Sequence, residues 1–456
     1  MQTLPLITHP RADSVIAWRD GVPITAAAFL TDVARLGRML PSGGHMLNAC
    51  SDRYHFAVGL AAALCHGQIC LLPSTHTAEV IRQLREFAPD AYCLTDSRDC
   101  TIGLPRLEYP PAHEAQVVDT DDRPWPARVP TLHAARTVAY VFTSGSTGVP
   151  VPHRKTWGAL LRNVQAGAQA AGLNDGRQHA VIGTVPPQHM YGLESTILMV
   201  LQSANALVAG RTFYPVDIAA AIASVPRPRA LVSTPVHMRA LLGAGLALPP
   251  VDLIVSATSP LSLALAQELE AALQAPLHEI YGSTETGQIA MRRSTHTPEW
   301  TLFRGVQLKH EADVTWASGG HVESPIAMSD VLQSVTKERF LLHGRMADMI
   351  NIAGKRNSLA NLNLQLGAIA GVRDGAFYMP DADSPDDVTR LTAFVVAPDL
   401  SRAALMAALR ERIDQVFLPR PLIFLAALPH NATGKLPREA LQALLAAGVA
   451  ANGKSA

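Results

Sequence analysis

A string of small and hydroxyl-bearing residues follows the apolar segment at 139–142. The string consists of Thr143, Ser144, Gly145, Ser146, Thr147 and Gly148. Small residues allow backbone N–H groups and hydroxyls to approach an anion without obstruction, so the string predicts a phosphate-binding loop. An ordinary turn has a similar composition and remains an alternative. The chain has no GxxxxGK[ST] pattern, so this is not a Walker loop.

A second polar string follows an apolar segment that ends at Ile280. The string consists of Tyr281, Gly282, Ser283, Thr284 and Glu285. A carboxylate beside a hydroxyl at a strand end offers the hard oxygen atoms that Mg²⁺ and a phosphate group use. Taken alone, Glu285 is more often a solvated loop charge.

The carboxyl-terminal quarter carries a lysine on a loop that contains glycine. Lys435 follows Thr433 and Gly434, and a proline stands two residues after it. A lysine in this setting reaches a phosphate or a carboxylate as a point charge, although any surface lysine shares the pattern. The segment 344–356, which holds two arginines and a lysine, precedes it in the chain.

Strand-like apolar runs alternate with Ala- and Leu-rich helical segments along the chain. The paired segments are 139–142 and 157–171, 180–185 and 194–202, and 253–255 and 261–273. This alternation predicts an α/β fold with parallel strands. A length of 456 residues exceeds what one core normally holds. We therefore expect a large multi-sheet domain at 1–345 and a small α/β lid domain at 346–456.

Composition excludes several classes of function. Lys plus Arg and Asp plus Glu both number 38, so the net charge of zero gives no overall attraction to nucleic acid. The longest apolar stretch, 59–72, is too short to span a bilayer, and the first residues do not resemble a secretory signal. We expect a cytoplasmic protein without a transmembrane segment. The cysteines form no CxxC pair and are expected to be reduced and packed.

The two polar strings, the segment 344–356 and the segment 428–438 occur together and in this order. Jointly they resemble the acyl-adenylate-forming superfamily of acyl-CoA synthetases, peptide-synthetase adenylation domains and luciferases. The resemblance extends from about 140 to 441, whereas 1–139 is similar only in length and α/β character. It implies that a carboxylic acid is activated with ATP and Mg²⁺ as an acyl adenylate and then passed to a thiol.

The resemblance implies a role for each matching residue of the nucleotide site. The loop at 143–148 would hold the β- and γ-phosphates, and Thr284 would contact the α-phosphate. Glu285 would bind Mg²⁺, and Tyr281 would lie against the adenine.

Two further residues are assigned to the ribose by the same resemblance. Asp330 would accept hydrogen bonds from the ribose hydroxyls, assisted by Arg345. The residues before Asp330 depart from the usual Thr-Gly of the family. The alternative to a ribose-binding role is that Asp330 is an ordinary capping or loop aspartate.

Lys435 matches the catalytic lysine of the superfamily, whose cation stabilises the charges that meet when a carboxylate attacks phosphorus. In the superfamily the small domain then rotates about a hinge, and the resemblance places that hinge at Ala347 and Asp348. Relatives have a lysine where Val151 stands here. Either Lys155 replaces that lysine, or pyrophosphate is bound more weakly.

The acid pocket is expected beside the nucleotide. His189 is a candidate for the residue that gates the pocket, and a packed histidine is the alternative. The expected pocket wall is formed by Ser233, His237, Ser256, Ala257 and Gly282. Polar groups in an otherwise apolar cleft favour a small hydroxylated ring over an alkyl chain.

A shelf for the adenine completes the expected nucleotide site. It is formed by Thr258, Ser259 and Pro260, with Gly282 and Ser283 opposite. Relatives have glycines where Ala257 and Thr258 stand, so a narrower pocket is expected here.

The segments 233–237 and 344–356 resemble a branch linked to aryl-polyene and xanthomonadin pigment biosynthesis. Members of that branch load a hydroxybenzoate on an acyl carrier protein, and the resemblance implies the same partner here. Candidate contacts to an acidic carrier are Lys355, Arg356, Arg420 and Arg438.

Two alternatives to carrier-protein loading remain open from the sequence. An aryl or fatty acyl-CoA synthetase would use coenzyme A as the acceptor thiol. A non-catalytic nucleotide-binding scaffold is suggested by the departures at Val151 and Ala347.

Overall fold

The structure is a computed structural model of the 456-residue chain. It describes all residues except 1, 74, 112–122, 126, 145–149, 313, 346–348, 353–354, 381–390, 432–435 and 453–456.

The strands are, in chain order, β1 (Thr3–Pro5), β2 (Val15–Arg19), β3 (Val22–Thr25), β4 (His45–Asn48), β5 (Ile69–Leu72), β6 (Tyr92–Thr95), β7 (Arg106–Glu108), β8 (Thr131–His133), β9 (Thr137–Ser144), β10 (Pro150–Thr156), β11 (Ala180–Gly183), β12 (Ala206–Val208), β13 (Arg229–Ser233), β14 (Leu253–Ser256), β15 (Leu277–Ser283), β16 (Gly287–Arg292), β17 (Trp300–Leu302), β18 (Val306–Glu311), β19 (Val314–Gly319), β20 (Val322–Ala327), β21 (Asp330–Ser334), β22 (Arg339–Arg345), β23 (Met349–Ile352), β24 (Lys355–Ser358), β25 (Asp374–Tyr378), β26 (Thr392–Val396) and β27 (Leu422–Phe424).

The α-helices are α1 (Ala26–Gly37), α2 (Arg53–Cys65), α3 (Ala78–Phe87), α4 (Trp157–Ala171), α5 (Met190–Gly192), α6 (Met199–Gln202), α7 (Pro215–Ala223), α8 (Pro235–Gly243), α9 (Leu263–Leu273), α10 (Leu359–Gly367), α11 (Arg402–Arg410) and α12 (Arg438–Asn452). A π-helical segment, Leu193–Leu198, joins α5 to α6, and a 3₁₀ helix covers Gln415–Phe417.

Two large sheets dominate the amino-terminal domain. One has six strands in the order β10-β9-β5-β4-β6-β7, and the other has eleven in the order β21-β22-β17-β16-β15-β14-β13-β11-β12-β2-β3. Strands β11 to β15 pair in parallel at the centre of the larger sheet, and β2 continues the parallel pairing beside β12. Antiparallel pairing begins at β16 on one side and at β3 on the other. The main apolar core is shared between these layers and includes residues of α2 and α4. The predicted α/β class is confirmed.

The carboxyl-terminal part is smaller and has its own apolar core. Strands β25, β26 and β27 form a sheet against which α10 packs, and β23 pairs with β24 as a separate hairpin. A large multi-sheet domain followed by a small α/β domain was predicted and is confirmed. The boundary at 345/346 stays a prediction, because 346–348 lie outside the described residues.

Local sequence signals account for the helices that position the site. Helix α4 spans the predicted range and begins after Thr156, whose side chain accepts a hydrogen bond from the Ala159 N–H. It ends at Gly172, which has a φ of +73°. The predicted helix at 194–202 instead begins at Met190 and is π-helical in its centre. Residues 190–202 are all buried, so the segment has no amphipathic period from which the widened turn could be recognised.

A buried arginine ties α2 to the end of β11. Arg53 is 4% exposed, and its guanidinium donates to the carbonyls of Gly183 and Val185 and to the hydroxyl of Thr196. Burial lowers the pKa of Arg53 to about 10. The arginine therefore fixes the segment that leads from β11 into the helix beginning at Met190.

Cysteine environments match the expectation only in part. All five cysteines are free, and Cys50, Cys70 and Cys93 are buried as predicted. Cys65 is exposed, because it ends a helix whose earlier turns take the buried positions, and Cys100 is half-buried. Among the described residues, no helix is both long and apolar enough to cross a membrane.

Candidate active site

The carboxyl ends of the central parallel strands bring the predicted pocket-wall residues to one edge of the large sheet. Ser233 at the end of β13 pairs in register with Ser256 at the end of β14. The Ser233 hydroxyl lies 2.8 Å from that of Thr184, whereas the Ser256 hydroxyl has no hydrogen-bond partner within the described part of the chain. Ligands of open α/β sheets bind at this edge.

His237 and His189 occupy different positions around this edge. His237 lies in the first turn of α8 and is buried, with its Nδ1 2.9 Å from the Thr234 hydroxyl. His189 precedes α5 and is half-buried. The gate role of His189 stays a prediction.

Thr258 has a φ of +83° just after β14, a conformation that glycine favours. For a β-branched residue this conformation costs about 1–3 kcal/mol, and such outliers cluster at functional sites. Ala257 and Ser259 beside it are half-buried, and Pro260 is exposed. The predicted adenine shelf thus lies on a strained segment at the sheet edge.

Tyr281 and Asp330 are brought into contact from distant parts of the chain. The Tyr281 hydroxyl donates to Oδ2 of Asp330 at 2.6 Å. The Tyr281 ring is 8% exposed and packs against Trp300 and Phe340, with ring centroids 5.6 Å away in each case. Asp330 pairs in register with Arg345, so all three predicted nucleotide residues converge.

A tight turn follows β15 and presents Thr284 and Glu285. The Ser283 hydroxyl accepts from the Thr286 N–H at 3.2 Å, and the Thr286 hydroxyl accepts from the Ser283 N–H at 3.2 Å. Gly287 closes the turn with a φ of +72°. The carboxylate of Glu285 is therefore held at the surface of the turn, with its side chain 38% exposed.

Two buried side chains bind three successive carbonyls of this turn. Lys155 donates from Nζ to the carbonyls of Thr284 and Glu285, the latter at 3.1 Å. His321 Nε2 lies 3.0 Å from the carbonyl of Thr286. Burial lowers the pKa of His321 to about 4, so the imidazole is neutral and donates from Nε2.

Lys155 lies on β10, in the segment that follows the predicted phosphate loop. It is 8% exposed, and burial lowers its pKa while the carboxylates of Glu194, Glu285 and Glu323 oppose that effect. Because its ammonium hydrogen-bonds to the turn, Lys155 positions Thr284 and Glu285 here. This contact does not support Lys155 as a replacement for the lysine that is absent at Val151.

His153 connects the start of the phosphate loop to the turn. Its Nε2 lies 2.8 Å from the hydroxyl of Thr143 and 3.6 Å from Oε1 of Glu285. Sequence reasoning missed His153. Its alternation with Lys155 along β10, at a spacing of two residues, places both side chains on one face of the strand and is the signal that could have identified it.

Several predicted site residues lie outside the part of the chain that the structure describes. Ser144 ends β9, but the rest of the loop, Gly145, Ser146, Thr147 and Gly148, lies outside the described residues, as do Ala347, Asp348 and Lys435. The carrier-contact candidates Lys355 and Arg356 belong to β24, where only the backbone is described.

The two ends of the segment that contains Lys435 are fastened to β25. His430 Nε2 lies 2.7 Å from Oδ2 of Asp374, and the Arg438 guanidinium stacks 5.1 Å from the Tyr378 ring centroid. Asp374 also lies 3.8 Å from Arg239 on α8, two residues after His237. The described flanks of this segment, at His430 and Arg438, therefore attach to β25, and β25 contacts α8 of the large domain.

A cavity of about 420 Å³ lies beneath the Thr284–Glu285 turn, between β10, α4 and the helical segment that begins at Met190. Asn163, Glu194 and Gly287 contribute to its lining. None of the predicted acid-pocket residues is part of its lining.

The chain belongs to the AMP-binding enzyme family, whose model matches residues 9–322. It is accordingly an AMP-forming acid–thiol ligase that adenylates a carboxylic acid with ATP. This membership contradicts the alternative of a non-catalytic scaffold.

Curated relatives are similar over most of the chain. A 4-coumarate–CoA ligase of Rhodobacter capsulatus is 34% identical over 67% of this chain and 77% of its own length. A 3-hydroxybenzoate–CoA/4-hydroxybenzoate–CoA ligase of Thauera aromatica is 25% identical over 75% of each chain.

A solved anthranilate CoA ligase, AuaEII, in complex with anthranoyl-AMP, has a TM-score of 0.79 at 16% identity. The structural alignment covers 98% of this chain and 99% of the AuaEII chain. The o-succinylbenzoate CoA synthetase of Bacillus subtilis has a TM-score of 0.78 at 17% identity, with 97% and 99% covered. These two likenesses establish the fold.

We expect Lys155→Met to lower the rate of acid-dependent pyrophosphate exchange at least tenfold and to raise the KM for ATP. Loss of the ammonium leaves two carbonyls of the turn unpaired, at about 1–3 kcal/mol for each buried group. Initial-rate measurements over a range of ATP and Mg²⁺ concentrations test this.

Lys309→Met is the matched control, because Lys309 is 73% exposed and pairs with Glu311 on β18. It should change the exchange rate less than twofold. Equal effects of the two substitutions would contradict the positioning role of Lys155.

Proposed function

We propose that the protein adenylates a small aryl acid, a hydroxybenzoate or a similar compound, and transfers the aroyl group to a phosphopantetheine thiol. The convergence of the Tyr281–Asp330 pair with the turn bearing Thr284 and Glu285 carries this proposal. The relatives named above are ligases of coumarate and hydroxybenzoate, both aryl acids. Their similarity supports an aryl acid here.

The nucleoside end of ATP is assigned to Tyr281 and Asp330. The Tyr281 ring packs against the stacked Trp300 and Phe340 rings, and this contact makes it a rigid flat surface for adenine. The carboxylate of Asp330, oriented by the Tyr281 hydroxyl, accepts hydrogen bonds from the ribose hydroxyls. Arg345, opposite Asp330 in the β21–β22 ladder, assists it.

The donor set at the turn fits Mg²⁺. Mg²⁺ is usually held by one or two carboxylates together with phosphate oxygens and water, and Glu285 supplies one accessible carboxylate. No group of three or more metal-binding side chains occurs among the residues that the structure describes, which agrees with a site completed by the substrate. When bound, Mg²⁺ neutralises the departing pyrophosphate.

Adenylation joins a carboxylate oxygen of the acid to the α-phosphorus and breaks the bond to pyrophosphate. Thr284, whose carbonyl accepts a hydrogen bond from Lys155, donates a hydrogen bond from its hydroxyl to an α-phosphate oxygen. The loop at 143–148 provides N–H groups for the β- and γ-phosphates. Lys435 stabilises the negative charge shared by the attacking and bridging oxygens, an interaction that strengthens in the transition state.

The acceptor is proposed to be an acyl carrier protein, supported by the resemblance of segments 233–237 and 344–356 to the pigment-pathway branch. Coenzyme A is the second candidate, and the names of the curated relatives favour it. Both acceptors present the same phosphopantetheine thiol, which displaces AMP from the aroyl adenylate.

Substituting Lys435→Ala should slow acid-dependent pyrophosphate exchange by about 100-fold or more while the Kd for ATP stays within threefold. Isotope exchange and equilibrium binding measure these two quantities. Lys337→Ala, on an exposed turn before β22, is the control and should leave both unchanged. Undiminished exchange in Lys435→Ala would refute the assigned role.

The acceptor is identified by incubating the protein with ATP, 3- or 4-hydroxybenzoate and either a holo-acyl carrier protein or coenzyme A. We expect the aroyl thioester to form on the carrier protein, detected as a mass increase of the intact protein. Thioester on coenzyme A alone would replace the carrier-protein proposal with the second candidate. Apo-carrier protein, which lacks the thiol, is the matched control.

A further inference from the structure

The cavity beside the turn has a mixed lining that includes the charged residues Arg154, Lys155 and Glu323, and the part formed by Asn163 and Glu194 is called its polar end. Leu160, Met190 and Ile326 supply apolar lining, and its volume of about 420 Å³ falls within the range of small-molecule pockets. Glu285 and Thr286 also line it, so it adjoins the turn at which adenylation is proposed.

Two buried polar side chains of this lining lack a partner for one oxygen each. Asn163 and Glu194 are both 2% exposed. Within the described part of the chain, Oδ1 of Asn163 and Oε1 of Glu194 have no hydrogen-bond partner. Buried polar atoms are almost always paired, so two unpaired acceptors on one cavity indicate a missing donor.

Both side chains face the small space left by a glycine. A Cβ at residue 287 would lie 2.2 Å from Nδ2 of Asn163 and 2.8 Å from Oε1 of Glu194. With a φ of +72° as well, Gly287 cannot be replaced by a larger residue without displacing these groups. The polar end of the cavity is therefore defined by three elements, α4, the π-helical segment and β16.

We propose that this cavity receives the substituted end of the aryl acid and that Asn163 and Glu194 select a ring hydroxyl. The inference rests on the proposed function and deepens it by naming the residues that recognise the substrate. A hydroxyl both donates and accepts hydrogen bonds, whereas a hydrogen, methyl or chloro substituent leaves the amide oxygen unpaired.

The protonation of Glu194 suits this assignment. Burial raises the pKa of Glu194 to about 8, although the charge of Lys155 opposes the rise. At neutral pH the carboxyl group is mostly protonated, so it donates a hydrogen bond to the phenolic oxygen, while the phenolic O–H donates a hydrogen bond to Oδ1 of Asn163. The hydroxyl thus satisfies both side chains at once.

The test compares kcat/KM for the three hydroxybenzoate isomers with that for benzoate, in pyrophosphate release. For the wild-type protein we expect at least one isomer to be preferred over benzoate by about 100-fold or more. Asn163→Leu and Glu194→Leu should each reduce this preference at least tenfold. Glu194→Gln keeps a hydrogen-bond donor and an acceptor, so this variant should retain most of the preference over benzoate.

Glu279→Gln is the control, because Glu279 is a buried carboxylate that pairs with Arg292 at 2.9 Å and does not line the cavity. The Glu279→Gln variant should prefer hydroxybenzoate over benzoate to the same extent as the wild type. The ratio of the kcat/KM values for two substrates, measured on one preparation, does not depend on how much of the protein is folded, because unfolding lowers both values equally. Should the leucine variants fail to fold, Asn163→Ser carries the same expectation.

The outcomes separate this inference from the proposed function. Turnover of benzoate and the hydroxybenzoates at equal kcat/KM would overturn the inference and leave the proposed function intact. A preference unchanged in the Asn163 and Glu194 variants would also overturn it. Absence of acid-dependent pyrophosphate exchange with every aryl acid would instead overturn the proposed function.

Discussion

The arrangement of the site depends on how three consecutive backbone carbonyls, those of Thr284, Glu285 and Thr286, are hydrogen-bonded. Lys155 from β10 binds the first two, and His321 from the loop before β20 binds the third. Because these donors are buried, their hydrogen bonds to the turn are stronger than they would be in water and make the turn rigid. The strand that follows the phosphate loop is thereby joined to the turn that carries the proposed magnesium ligand.

The helical segment that begins at Met190 contacts two polar regions. The Tyr191 hydroxyl lies 3.1 Å from the carbonyl oxygens of both Ser233 and Val255, at the edge of the large sheet. Glu194 contacts the space beside Gly287 and lines the cavity. One short helical segment therefore contributes to the predicted pocket wall and to the inferred hydroxyl site.

Much of the fold follows from local sequence patterns. Helix α4 was predicted over its full range, and β14 was predicted within one residue, because period and capping signals are local. Tyr281 and Asp330 were both assigned to the nucleotide from the resemblance, and the structure brings their side chains within 2.6 Å of each other. Their contact itself spans 49 residues and has no local signal.

The polar end of the cavity could not be predicted from the sequence. Asn163 falls within a long helical pattern, where a polar residue usually faces solvent. Glu194 stands at the start of an expected helix, where an acidic residue favours the helix dipole. Only the packing of α4 against β16 and the π-helical segment shows that both side chains are buried and face each other across Gly287.

A crystal structure of the protein with a non-hydrolysable hydroxybenzoyl-adenylate analogue would locate the nucleotide and the acid together. We expect adenine against Tyr281, the ribose hydroxyls on Asp330, the phosphate mimic beside Thr284, and the aryl ring in the cavity lined by Asn163 and Glu194. An analogue bound away from Tyr281, Asp330 and the Thr284–Glu285 turn would contradict this expectation.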